Sequence, residues 1–247
     1  MHAIWGEAWE RHGCISAHYQ NMVIEPEEVQ AFAEISSDPN YVRIRAAKRD
    51  GTPVLEGSAT LGPEHPQTAL EARRAKLSPP EKLIILRDVP VGFRGPRERV
   101  MMEFDTHLGA LYPFTLREKL AVITERSSWT TPEGGASSPW GRAIVPLEMM
   151  GPLTQYTSRE ARIPVRGPSV GLFADLEVRM VNGPVFVGKA YELEREVVQL
   201  SDTRRTESVG IRTSMFAGTT GAAHALARFG GAPLTLCPND EEAAALL

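Results

Sequence analysis

The chain has 247 residues, 42% of them apolar and 23% charged, with a net charge of −4. That length allows two domains or one large one, with a core that holds without covalent staples. It shows no basic patch of the kind nucleic-acid binding uses. Cys14 and Cys237 form no CxxC pair, which argues against a disulfide framework or a zinc site, and no pair of histidines has metal-ligand spacing. No apolar run reaches the roughly 20 residues of a membrane span, and MHAIWGEAWERHG lacks the basic start and long apolar stretch of a signal peptide. A soluble cytoplasmic protein is the expectation.

In chain order, residues 3–11 predict a short helix. Ile4 and Ala8, and Trp5 and Trp9, recur at four-residue spacing, and Gly13 is a natural stop just past the end. From Cys14 the period becomes two, interrupted at Pro26. Val42, Ile44 and Ala46 then alternate with Arg43 and Arg45, and Asp50-Gly51 marks a hairpin. Residues 14–61 therefore predict three or four antiparallel strands. A short charged helix is expected over 67–77 and a strand in KLIILRDVPVGF. A boundary is expected near Gly95-Pro96, with another strand in RVMMEF.

Thr115 and Glu118 have the spacing of a capping box, which predicts a helix from Leu116. After a loop rich in Gly, Ser and Pro, IVPLEMMGPLTQYT predicts an apolar helix, with Pro146 tolerated in its first turn and Pro152 bending or interrupting it. Alternation returns in LFADLEVRMV, AYELEREVVQL and SVGIRTSMF. Residues 219–229 predict a terminal helix, and the tail a loosely held end.

Each half thus reads as a helix followed by several antiparallel strands. Met22-Val23 with Pro26 and Met180-Val181 with Pro184 each precede a small–aromatic pair, which suggests a duplicated α+β unit.

This order resembles the hot-dog fold, an antiparallel sheet wrapped around a central helix. More narrowly, ITERSSWTTPEGGASSPWGRAIVPLEM resembles the MaoC-like hydratase/dehydratase family in its double hot-dog form. Pro132-Glu133, Trp140-Gly141-Arg142 and Ile144 fall at the family's spacings, and VRMVNGPVFVG resembles a strand and turn further on. The resemblance covers residues 115–216 best. It implies an α+β fold of tandem hot-dog units: a partial first unit over 1–95, a second over 96–230, and a tail over 231–247.

The resemblance also implies chemistry, and there the chain departs from the pattern. Hydration of an enoyl thioester needs a base to activate water and an acid to protonate the α-carbon. The family's His position is Trp129 and its Asp position Thr124, with Glu125 beside it. Tryptophan exchanges no proton at neutral pH, so the usual dyad is absent from this half. MHAIWGEAWERHG would be the last turns of the first unit's central helix. Its missing upstream part reads as a start codon set too far downstream, in preference to a lost segment.

The implied activity is a hydratase/dehydratase step on a small acyl or enoyl thioester. One alternative is a thioesterase-like hydrolase in which Glu148, on the apolar central helix, activates water; burial would raise its pKa. Another is a non-catalytic subunit that binds an acyl ligand or supports a partner. The candidate site is Glu148, Glu125 and Thr124 for catalysis, and Trp129, Thr130, Trp140 and Gly141 for substrate. Trp129 and Trp140 either pack the loop or line an acyl tunnel, and Gly134-Gly135 serve a turn or a close approach to ligand.

Several further residues read as structural. GPSVG matches G-x-S-x-G but is followed by a strand where a nucleophile elbow needs a helix. Arg204-Arg205 reads as a hairpin tip or a contact to coenzyme A phosphates. No cofactor or metal is expected; coenzyme A would enter only as part of the substrate. An uncovered first unit exposes apolar surface, so a homodimer, or a soluble but aggregation-prone chain, is expected.

Overall fold

The structure, a computed structural model, describes residues 1–110, 112–123, 127–204 and 206–218, and the backbone of a strand at 224–230. Two short helices open the chain, α1 (His2–Trp5) and α2 (Glu7–His12). The single helix expected here is broken at Gly6, whose φ of 55° and ψ of −137° no helix accommodates. Gly13 ends α2 as expected and starts a strand directly. A side chain there would strike the Trp9 ring, 2.4 Å from the position of a Cβ.

Four strands follow, β1 (Gly13–Tyr19), β2 (Val29–Ile35), β3 (Tyr41–Lys48) and β4 (Pro53–Leu61). The Asp50-Gly51 turn joins β3 to β4, with Gly51 at φ 86° and the Asp50 carboxylate accepting the Thr52 N–H at 2.9 Å. Next come α3 (Ala69–Arg74), β5 (Glu98–Val100), α4 (Leu116–Val122) and α5 (Met150–Gln155). The strands β6 (Asp175–Met180), β7 (Tyr191–Asp202), β8 (Glu207–Ala217) and β9 (His224–Gly230) complete the order.

The nine strands form one antiparallel sheet in the order β2-β3-β4-β1-β6-β9-β8-β7-β5. The duplication is visible in that order. β2-β3-β4-β1 and β7-β8-β9-β6 are the same four-strand arrangement, joined edge to edge where β1 meets β6. Helices pack on one face of each half. Met149, Met150 and Leu153 are buried against Val178, Met180, Leu193 and Met215, and Trp9 is buried with Val42 and Ala59. This is the tandem hot-dog architecture, α+β, that the sequence predicts.

Both capping boxes form, the expected one at Thr115/Glu118 and an unforeseen one at Thr68/Glu71. The apolar helix after the loop is interrupted as its prolines require. Leu147–Met149 is a 3-10 turn and the α-helix begins only at Met150, because Pro152 has no N–H to bond back one turn.

Three expectations fail. KLIILRDVPVGF is not a strand. The buried Glu207 carboxylate accepts the backbone N–H groups of Ile84, Ile85 and Leu86 at 2.6 to 3.3 Å, so these donors are unavailable to a ladder. The segment still buries Ile85, Leu86 and Val89, against Val197 and Val209. Of RVMMEF only Arg99 and Val100 pair, together with the preceding Glu98, at the outer edge of β7. The expected terminal helix is β9, drawn into the gap between β6 and β8, where pairing on both sides outweighs the helix propensity of its alanines. The tail beyond 230 lies outside the described residues.

The central strand β1 sorts its side chains by parity. Cys14, Ser16 and His18 face α3, where Ser16 and Ser58 hydroxyls accept the N–H groups of Leu70 and Ala69 at 2.8 and 2.9 Å. Ile15, Ala17 and Tyr19 face the other way, into a cleft.

Candidate active site

The cleft has a volume of about 1200 Å³. Its floor is apolar and drawn from both halves: Ile15 and Ala17 of β1, Ile44 of β3, Leu55 of β4, and Leu176 and Val178 of β6. Its roof is α1 and α2 on one side, and α4, the loop at 127–131 and the turn before α5 on the other. Among the lining residues there is no lysine or arginine side chain.

Two carboxylates and a histidine meet at its wall: Glu10 from α2, Glu148 from the 3-10 turn, and His2 from α1. The His2 ring nitrogen Nδ1 is 3.3 Å from Glu10 Oε1. In a straight helix, residues eight apart are separated by ~12 Å along the axis. The break at Gly6 folds α1 back and closes that distance. Burial pushes the Glu10 carboxyl up from its ordinary value, the hydrogen bond and charge of His2 pull it down, and the nearby Glu148 charge pushes it up again. Burial also raises the Tyr19 phenol, which enters the cleft from β1 as a neutral hydroxyl.

The sequence left Glu148 open between a partly exposed helix residue and a pocket carboxylate; it is exposed, lines the cleft, and sits in the 3-10 turn before α5. The carboxylate that burial acts on is Glu10. Trp129 and Thr130 line the cleft as well. The Trp129 ring meets His2 edge-on at 4.8 Å, and the buried Thr130 donates its hydroxyl to the Ser127 carbonyl at 2.8 Å. Trp140 and Gly141 do not line it. Trp140 packs edge-on behind Trp129 at 5.8 Å, and Gly141 occupies an exposed turn at φ 65°. Thr124 and Glu125 lie outside the described residues.

The Gly134-Gly135 pair serves backbone packing inside the loop. A Cβ at Gly134 would sit 2.3 Å from the Ser128 carbonyl oxygen, and one at Gly135 2.5 Å from the Ala143 nitrogen. Ser138 clamps the other end: its hydroxyl donates to the Arg142 carbonyl at 2.7 Å and accepts the Arg142 N–H at 3.2 Å. The loop is thus a rigid platform that holds Trp129 and Thr130 against the cleft.

GPSVG forms an exposed loop before β6, with no strand leading into it. Arg204 is at the exposed tip between β7 and β8; Arg205 lies outside the described residues. No group of three or more metal-ligating side chains occurs among the described residues. No helix of the described residues is long and apolar enough to cross a membrane.

Sequence reading missed His2 and Glu10 because their encounter depends on the Gly6 break. A glycine inside an otherwise periodic helix was the available signal.

A double hot-dog scaffold whose cleft gathers two carboxylates and a histidine is the class of protein these features define. Solved structures share the scaffold. A MaoC domain protein described as a dehydratase, from Chloroflexus aurantiacus J-10-fl, superposes with a TM-score of 0.58 at 15% identity, over 94% of this chain and 77% of that one. A MaoC-like dehydratase superposes with a TM-score of 0.50 at 12% identity, over 89% and 74%. The chain has the double hot-dog fold seen in MaoC-like dehydratases. No family model and no curated protein matches it.

Proposed function

We propose that the protein is a hydratase/dehydratase acting on an enoyl thioester, with Glu10 and Glu148 in place of the missing Asp/His dyad. The observation that carries this reading is the meeting of these two carboxylates, one half-buried and one exposed, at the wall of an otherwise apolar cleft. Two titratable groups in unlike environments suit an acid and a base. The exposed Glu148 takes a proton from water, whose oxygen adds to the β-carbon. The double-bond electrons move toward the thioester carbonyl, and Glu10, biased toward its protonated form, delivers a proton to the α-carbon. His2 fixes the Glu10 carboxyl. The apolar floor takes the acyl chain, and Trp129 and Thr130 bound it. Dehydration is the reverse.

The test is turnover of a conjugated enoyl-CoA. Loss of the conjugated absorbance without thiol release is the expected result, and Glu10→Gln and Glu148→Gln should each cost about 10²–10⁴-fold. Release of free thiol would instead support hydrolysis with Glu148 as base. Wild-type rates in both variants would end the assignment. Ligand binding without either reaction would leave a non-catalytic acyl-binding subunit as the better description.

The homodimer belongs to the same reading. The outer edge of β2 has no partner among the described residues, and Met22, Ile24 and Ile35 are exposed close to it. Light scattering should return twice the monomer mass; a clean monomer would refute it.

A further inference from the structure

A row of aromatic rings leads out of the cleft. His2 meets Trp129 at 4.8 Å, Trp129 meets Trp140 at 5.8 Å, and Trp140 meets Phe186 at 6.3 Å, each pair inclined steeply to edge-on. The inner rings belong to the cleft, and the outer ones carry cations. The Arg142 guanidinium lies 4.9 Å from the centre of the Phe186 ring, the Lys189 ammonium 5.7 Å from that ring and 5.4 Å from Tyr191, and the Arg11 guanidinium 5.1 Å from Trp140.

These cations differ in what neutralises them. Arg11 is held by Glu7 at 2.5 Å. Arg142 and Lys189 have no carboxylate within ion-pair distance among the described residues, although most of the chain's other half-buried and exposed arginines do. Aromatic faces position a cation without discharging it, so its N–H groups stay available to an anion.

The arrangement is built. Val145 and Val187 N–H groups donate to the Val185 and Ala143 carbonyls at 2.7 and 3.0 Å, and Ile144 bridges Phe186. The Phe186 N–H donates to the Tyr191 hydroxyl at 2.8 Å, Gly188 N–H to Met102, and Gly183 N–H to the Arg11 carbonyl. Ser138 clamps the backbone of Arg142. Two loops distant in sequence are thereby locked side by side, with their cations on one aromatic surface.

We propose that Arg142 and Lys189 form the site for the phosphate-bearing carrier end of the thioester, outside the cleft. The proposal rests on the hydratase reading for the position of the acyl end. The cleft itself offers an anion no lysine or arginine side chain. A ligand with its reactive end beside Glu10 and a flexible arm running along the ring row would bring its phosphates to Arg142 and Lys189, which no carboxylate neutralises among the described residues. Phosphate on such an arm has two sources: the nucleotide end of coenzyme A, or the phosphopantetheine arm of a carrier protein.

The experiment measures binding of adenosine 3′,5′-bisphosphate and of 4′-phosphopantetheine to the full chain by calorimetry, in the wild type and in the Arg142→Ala/Lys189→Ala variant. Saturable binding that the double variant weakens by at least about tenfold is expected. Binding of the bisphosphate assigns the site to coenzyme A, and binding of phosphopantetheine alone assigns it to a carrier protein. No binding of either, or equal binding by the double variant, overturns the proposal. Arg142→Lys, which keeps the charge, should retain part of the affinity, and an unchanged melting temperature shows that the double variant is folded.

Turnover separates this proposal from the one it rests on. If both are right, the double variant has a raised KM for the thioester and an unchanged kcat. If the double variant turns over the thioester with an unchanged KM, the hydratase reading stands and the phosphate site falls. If phosphate binding is lost in the double variant while the wild type hydrates nothing, the phosphate site stands and the hydratase reading falls.

Discussion

β2 and β7 hold equivalent places in the two halves and live in opposite environments. β7 alternates buried and half-buried residues along its first seven positions, has β5 on its outer edge, and packs under two apolar clusters. β2 has one half-buried residue, Phe32, covered by Arg45 at 3.9 Å, and every other residue is exposed. One topology therefore carries two levels of stability. Hydrogen bonding to one neighbour forms the strand in both cases; covering its face and its outer edge makes it part of a core.

The largest test of that contrast is Arg195. It is buried on β7, pairs with the buried Glu98 of β5, and donates to the Thr154 carbonyl at 2.7 Å, so one side chain ties the edge strand β5, its neighbour β7 and α5 together. Arg195→Ala should cost about 3–5 kcal/mol by leaving Glu98 buried and unpaired. Arg45→Ala on β3, which breaks an exposed pair with Glu34 at 3.0 Å, should cost about 1 kcal/mol or less. Denaturant titration of both variants decides it, and equal costs would mean that the halves are not distinct.

Hydrogen exchange reads the same contrast without mutation. In the dissociated monomer at low protein concentration, amides of β7 should exchange close to the global unfolding rate, and the outer-edge amides of β2 by local opening, faster by orders of magnitude. Equal protection at high concentration would show that β2 is covered in solution, as a dimer through this edge requires.

A smaller effect should follow pH. His65 packs at the end of β4, 2.9 Å from the Thr60 hydroxyl, and burial together with the Arg179 charge lowers its pKa to about 4. The unfolded chain then binds more protons than the folded one between about 4 and the ordinary histidine value near 6.5. Stability from this group is complete above that window and is lost as pH falls through it. His65→Gln should flatten this part of the stability profile; an unchanged slope would remove His65 as its source.

The smallest expected signal is chemical silence. Burial, and then the Glu177 charge, push the Cys14 thiol up to about 12. In the native protein it should resist a thiol reagent at pH 8, as peptide mapping would show, and react on unfolding. Native labelling of Cys14 would place it in a part of the sheet that opens readily.

The candidate site was half legible. Trp129, Thr130 and Glu148 were read from the loop and helix that the resemblance singled out, and all three line the cleft. Glu10 and His2 were invisible because a continuous helix keeps them apart. For Glu148 the sequence leaves both a partly exposed position and a pocket position open, because amphipathic pattern reports which face of a helix is apolar and not how deeply each end of that helix is covered.

What the sequence determined by itself is what short range determines. The capping box at Thr115 and Glu118 joins residues three apart, the Asp50-Gly51 hairpin is closed within a few residues, and the alternation in β1, β3, β6, β7 and β8 is fixed by the pleat. Tertiary structure decided the elements whose backbone donors had distant partners. The apolar run at 84–86 gives its N–H groups to a carboxylate more than 120 residues away, and an alanine-rich segment is β9 because it pairs with β6 on one side and β8 on the other. The cleft falls in this second class. Its floor needs β1 beside β6, and its acid–base cluster needs a helix broken at Gly6 to face a turn nearly 140 residues later. Proximity of that kind is set by packing, which local propensity does not encode.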